Sequence, residues 1–177
     1  MTRRLLILRH AKAGPHDEKH DKERHLVDRG CSDSALMGHV MREKGYVPDL
    51  VLCSSAARTR ETWEHTGPEL HARPETKFLD ALYDAAEGTI LKCVQETDDA
   101  VERVLYIGHN PGLERLARML IREPRTAAEK QHAASLMSKY PTAALAVIDF
   151  KIEYWAEAAP GEGILADFVT PSDIKNK

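Results

Sequence analysis

Residues 3–10 read Arg-Arg-Leu-Leu-Ile-Leu-Arg-His, an aliphatic run held between charged residues. Unbroken rather than alternating hydrophobicity predicts a strand covered on both faces, as in a parallel sheet flanked by helices. Leu50-Val51-Leu52-Cys53 and Val104-Leu105-Tyr106-Ile107 repeat the pattern. Helical periodicity lies between and after these runs. Leu113, Leu116, Ala117, Leu120 and Ile121 follow the i, i+3, i+4, i+7, i+8 spacing, with Asn110 as N-cap, Pro111 at the first helical position and Pro124 beyond the end. A second helix is expected over Ser32 to Lys44, where Leu36/Val40 and Met37/Met41 pair at i, i+4 and Gly45 stands at the C-terminus. Ala56 to His65, opened by Ser54-Ser55, and Thr89 to Gln95 read as shorter helices. Ala143 to Phe150 and Ile164 to Val169 read as late strands joined through a Pro160-Gly161 turn. Such alternation predicts an α/β fold with parallel strands.

The chain's 177 residues bound it to a single domain over 1–177. With 42% hydrophobic and 30% charged residues it is too apolar for a disordered chain, so a real core is expected. Lys and Arg total 25 against 28 Asp and Glu, a net charge of −3, which lacks the basic surplus of a nucleic-acid binder. Cys31, Cys53 and Cys93 are odd in number and form no CxxC knuckle, which fits a reducing compartment. The apolar run after Arg4 is too short for a signal peptide, and none approaches a membrane span, so a cytoplasmic location with no membrane partner is expected.

Each of the three apolar runs is followed at once by cationic, imidazole or small polar groups: Arg9-His10, then Ser54-Ser55-Ala56-Ala57-Arg58, then Gly108-His109-Asn110-Pro111-Gly112. Ligands of open α/β sheets bind beyond the carboxyl ends of the strands, so Arg9, His10, Arg58 and His109 are expected to converge. Two of the segments lead into helix N-termini, which favour anions. Guanidinium forks match phosphate geometry, and no carboxylate cluster with metal-ligand spacing accompanies them, which points to a metal-independent phosphate site without cofactor. One neutral imidazole then serves as nucleophile, forming a phosphohistidine that water hydrolyses. Nearby arginine charge is expected to keep it unprotonated. His10, beside Arg9 at a strand end, is favoured as nucleophile and His109 as donor to an equatorial oxygen, although pattern alone does not order the two.

Leu8-Arg9-His10-Ala11-Lys12-Ala13, Ser54 to Thr62 (SSAARTRET) and Ile107-Gly108-His109-Asn110-Pro111-Gly112-Leu113 resemble the histidine phosphatase superfamily, in particular its small SixA-type phosphohistidine phosphatase branch. The resemblance implies a three-layer α/β/α architecture with a mostly parallel central sheet, the phosphoglycerate mutase-like fold. It implies His10 as the nucleophile, with Arg9, Arg58 and His109 completing the phosphate pocket. Arg24-His25-Leu26 through Arg29-Gly30 is similar to the family's Arg-Pro-Leu and Arg-Gly stretch, as are Gly45 to Cys53 and Tyr140 to Ile148 to this branch. His25 replaces the usual proline, Thr59 and Trp63 replace usual alanines, Ala144 stands near a common glycine, and residues 66–76 and 122–140 match nothing specific. In the resembling family the run from His16 to His25 lies near the pocket mouth. Lys12, Asp21 and Glu23 are therefore candidate substrate contacts, and Asn110, beside His109, is another.

The expected substrate is phosphohistidine on a signalling or phosphotransfer protein, such as a histidine-containing phosphotransfer domain, with inorganic phosphate as product. One alternative is a phosphatase or mutase for small phosphate esters, since the phosphoglycerate mutase branch shares the four positions. That branch carries a glutamate general acid, for which this chain offers Asp80, Asp84 and Glu87 in no clear motif. Another is a non-catalytic phosphate-binding adaptor. Among the remaining features, His16, His20 and His25 read as a solvated charged loop rather than metal ligands. Ser54 and Ser55 read as helix caps rather than nucleophiles, and Cys53 as a packing residue.

Overall fold

The three apolar runs are neighbouring strands of one sheet. The computed structural model describes residues 1–177, with β1 at Arg3–Arg9, β2 at Leu50–Ser54, β3 at Glu75–Leu79, β4 at Arg103–Gly108, β5 at Leu145–Phe150 and β6 at Ile164–Val169. The strand order is β3-β2-β4-β1-β5-β6. β1 pairs parallel with β4, and β2 parallel with β4 and β3, whereas β5 runs antiparallel to both β1 and β6. The sheet is thus mostly parallel. Leu5 and Ile7 point into one apolar cluster and Leu6 and Leu8 into the other, as do the alternating residues of β2 and β4. All four of these β1 residues are fully buried, which is why the run shows no polar alternation.

Helices α1 (Asp28–Glu43) and α2 (Ala57–Thr66) cover one face. Helices α3 (Glu87–Gln95), α4 (Gly112–Leu120) and α5 (Ala127–Ser138) cover the other. A short α6 (Pro171–Lys175) ends the chain, tied to α1 by Lys175 bonding the buried Asp33. No helix is long and apolar enough to cross a membrane.

Several expected boundaries move. α1 starts at Asp28 rather than Ser32, because its first turn is polar and carries no stripe, with Asp28 suiting the positive end of the helix. Gly30 in that turn lets α1 approach the segment after His10, where a Cβ would lie 2.2 Å from the Lys12 carbonyl oxygen. Neither serine caps α2, whose N-cap is Ala56. Asn110 does not cap α4 either: Pro111 is the N-cap, and the Asn110 amide instead donates to the Tyr140 carbonyl at 3.1 Å. Ile121 follows α4 in extended conformation rather than continuing it. The fifth strand begins at Leu145, since Ala143 adopts a left-handed φ of 60°.

Candidate active site

The strand register assembles the site. Arg9 is the partner of Gly108 across β1 and β4, and the His10 amide donates to the Gly108 carbonyl at 3.1 Å. His10 and His109 therefore leave adjacent strand ends together, with ring centroids 5.4 Å apart. Arg58 sits in the first turn of α2, directly beyond β2. Thr62, one turn further on, accepts the Ala11 amide at 3.0 Å and pins α2 to the segment after His10. Arg9, His10, Arg58 and His109 all line one open cleft of about 320 Å³, as the sequence predicts.

Lys12, Asp21 and Asn110 are also on its wall, whereas Glu23 is exposed and outside it. Glu23 is the last residue of a short 3-10 turn in which Asp21 is the one that faces inward. The cleft adds Arg24 and Thr142, which the sequence does not single out, and it also takes in His16 and Asp84, of which Asp84 is one of the three candidate acids. Arg24 stands in the very stretch that resembles the family, but the charged run around it reads as solvated.

Asp21 organises the cations. The Arg58 guanidinium, 3% exposed, donates through Nη1 to the Asp21 carbonyl at 2.7 Å and through Nη2 to Asp21 Oδ2 at 3.1 Å. Arg24 Nη2 lies 3.3 Å from Asp21 Oδ1, and the Tyr83 hydroxyl donates to Oδ2 at 2.5 Å. Burial pushes the Asp21 carboxyl up, but the Tyr83 hydroxyl and the two guanidiniums outweigh it and the net shift is downward. The same bond pushes the Tyr83 phenol up to about 12. Arg9 Nη1 donates to the Tyr140 carbonyl at 2.9 Å.

Both imidazoles of the cleft are buried. His10 Nδ1 lies 2.8 Å from the Ala11 carbonyl, which can only accept, so Nδ1 carries the proton and Nε2 the lone pair. Burial, followed by the charges of Arg9, Arg58 and Arg24, lowers the His10 pKa to about 3 against the opposing Ala11 bond. His109 is also lowered to about 3, by burial and then by Arg58 and His10. Dehydration rather than arginine charge is thus the main reason that both rings are neutral at pH 7. His109 Nε2 lies 2.7 Å from Ser54 Oγ, while Ser55 donates to Asp80 at 2.5 Å. Both serines therefore have side-chain partners other than the helix that they precede. Cys53 is buried, its thiol pushed up to about 12 by desolvation, in keeping with a packing role.

A stability consequence follows from the histidines. An unfolded histidine titrates near 6.5, the native ones near 3, so between these values the unfolded chain binds protons that the folded one refuses. Stability conferred by the neutral rings is full above about pH 6.5 and is lost as pH falls toward 3. Urea unfolding from pH 7 to 4.5 is expected to show a steeper decline for the wild type than for a His10→Asn, His109→Asn double variant, and equal slopes would refute the assignment.

His16, His20 and His25 are 65%, 64% and 72% exposed and face three different carboxylates, those of Asp21, Asp17 and Glu61. No group of three or more His, Cys, Asp or Glu side chains is placed to hold a metal ion.

No family model matches the chain. An uncharacterized protein of Mycobacterium tuberculosis (strain H37Rv) is 35% identical over 164 residues, covering 93% of this chain and 99% of that one. A SixA-assigned phosphohistidine phosphatase of Nakamurella multipartitia superposes with a TM-score of 0.79 at 27% identity, covering 97% of each chain. Its counterpart from Agrobacterium tumefaciens gives 0.78 at 29% identity, covering 96% of this chain and 98% of that one. Shared architecture over nearly the full length, together with an Arg-His strand end facing a second histidine across a basic cleft, leads to one conclusion: the chain belongs to the histidine phosphatase superfamily and is similar to its small SixA-type members.

Proposed function

We propose that the protein is a metal-independent phosphatase that removes phosphate from phosphohistidine on a phosphotransfer protein, through a covalent intermediate on His10. The observation that carries the reading is the His10 tautomer: Nδ1–H is held by the Ala11 carbonyl, which leaves the Nε2 lone pair for a cleft lined by Arg9, Arg24 and Arg58. In the first step Nε2 attacks phosphorus as the bond to the leaving nitrogen breaks. The electron pair stays on that nitrogen and the leaving imidazole departs with a proton on its other ring nitrogen. Water then attacks phosphorus, the N–P bond breaks, the lone pair returns to Nε2 and a proton is released with inorganic phosphate. Arg9, Arg24, Arg58 and His109 surround the equatorial oxygens, whose charge grows toward the transition state.

The leaving group separates this reading from a small-ester phosphatase. An ester expels an alkoxide and gains roughly 10²–10⁴-fold from a positioned acid, whereas an imidazole leaves without one. Of the three carboxyls that the sequence offers as an acid, Asp80 is engaged by Lys22 and Ser55, Glu87 opens α3, and Asp84 joins Asp21 in lining the cleft, ion-paired with Arg58 at 4.0 Å. An open cleft suits a phosphoryl group borne on a protein surface, and the free cysteines suit a reducing cytoplasm.

The test is turnover of a panel containing phosphorylated histidine proteins and common phosphate esters. Preference for phosphohistidine is expected, with Asp84→Asn lowering its turnover by less than about tenfold. Preferred hydrolysis of a small ester that collapses in Asp84→Asn would overturn the substrate assignment in favour of the ester phosphatase.

A further inference from the structure

We propose that Ser54 is a positioning residue that holds His109 as the Nδ1–H tautomer, so that a ring N–H and not a lone pair meets the phosphoryl oxygen. The inference rests on the reading of His109 as a phosphoryl donor given above.

A neutral imidazole has one donor nitrogen and one acceptor nitrogen. For His109 the choice follows from a full account of the Ser54 hydroxyl. Ser54 Oγ lies 2.7 Å from His109 Nε2, and its other polar neighbour is the Ala56 amide at 3.4 Å, which is a donor. Ser54 is fully buried, so solvent does not take its hydrogen. The hydroxyl hydrogen therefore has a single acceptor, Nε2, and the ring proton resides on Nδ1. That nitrogen is buried and has no partner within the protein, while its ring lines the cleft. It is a donor left unsatisfied until an oxygen arrives.

His10 shows the opposite arrangement, with its Nδ1–H spent on the Ala11 carbonyl and its Nε2 lone pair left over. The two rings share one cleft and the same Nδ1–H tautomer, yet they leave opposite nitrogens free, because a backbone acceptor takes the N–H of His10 and a hydroxyl donor takes the lone pair of His109. Inverting His109 would set a lone pair against an anionic oxygen and forfeit one transition-state hydrogen bond. Ser54 is well fixed for this task. It ends β2, its carbonyl accepts the Thr59 hydroxyl at 2.8 Å, and the preceding Cys53 is the register partner of Ile107, two residues before His109.

The ¹⁵N spectrum of histidine-labelled, substrate-free protein at pH 7 reads the tautomer directly. The wild type is expected to place the His109 proton on Nδ1, and Ser54→Ala to move it wholly or partly to Nε2. In the same variant kcat for a chromogenic phosphate ester is expected to fall by about tenfold, with KM changing by less than about twofold, and Ser54→Thr, which keeps a hydroxyl, to recover the native tautomer. A wild-type proton on Nε2, or an unchanged tautomer in Ser54→Ala, would overturn the proposal. If Ser54→Ala does not fold, the wild-type spectrum decides alone. That spectrum needs no substrate, so a protein inactive on every phosphate compound would sink the proposed function while this test still returned its own answer.

Discussion

His10→Ala is expected to lower phosphatase turnover by at least about 10⁴-fold, because it removes the atom that forms the intermediate rather than a group that tunes it. The wild type, quenched in alkali after brief exposure to a slowly hydrolysed substrate, should carry phosphate on His10 that survives base and is lost in mild acid, as an N–P bond requires. His10→Ala should carry none. The variant is a fair probe of chemistry, since the His10 side chain makes only the Ala11 hydrogen bond and the surrounding positions are fixed by the β1–β4 register. Turnover by His10→Ala equal to that of the wild type would end the covalent mechanism, and label found elsewhere would name a different nucleophile.

The second large effect is at Arg58. Alanine there is expected to reduce kcat/KM by about 10²–10³-fold, the usual loss when one charge-stabilising donor is withdrawn. Arg58→Lys should recover little of it. An ammonium keeps the charge but cannot present a planar pair of N–H groups, and Arg58 already uses two separate nitrogens to reach the carbonyl and the carboxylate of Asp21. Asp21 would keep Arg24 and Tyr83 as partners, so the variant should remain folded, which a melting curve checks. Near-native kcat/KM in a folded Arg58→Ala protein would remove this guanidinium from the mechanism.

Much of this arrangement was readable in residue order. Strands buried on both faces announce themselves as unbroken apolar runs, and β1, β2 and β4 did so because their side chains alternate between two cores. The convergence of Arg9, His10, Arg58 and His109 followed from where those strands end. The elements that went unread have plain physical reasons. β3 is an edge strand with exposed Glu75, Lys77 and Phe78, so it lacks the doubly buried run of its neighbours. α5 buries only Ala133 and Leu136 among many small and polar residues, too weak a stripe to find by spacing.

Within the site, Arg24 was hidden by its charged surroundings, since composition cannot show that the run from His16 to His25 folds back to put Asp21 against Arg58. Ser54 and Asn110 were misread as caps for a related reason. Serine and asparagine before a helix most often bond its free amides, but here a histidine ring and the Tyr140 carbonyl lie closer. The leading cause of the imidazole neutrality, burial, likewise depends on packing that no local spacing displays.

The pairing of Arg4 with Arg103 and of Arg9 with Gly108 joins two strands with the whole of α1, β2, α2, β3 and α3 between them. Closing so long a loop is slow and entropically costly, and it precedes any reward from the contacts it brings. The cleft that we propose binds phosphate is consequently a property of the whole chain up to that closure: a proteolytic fragment lacking either end of the span is expected to have no half-strength version of it, and a nascent chain to acquire it only after β4 has left the ribosome.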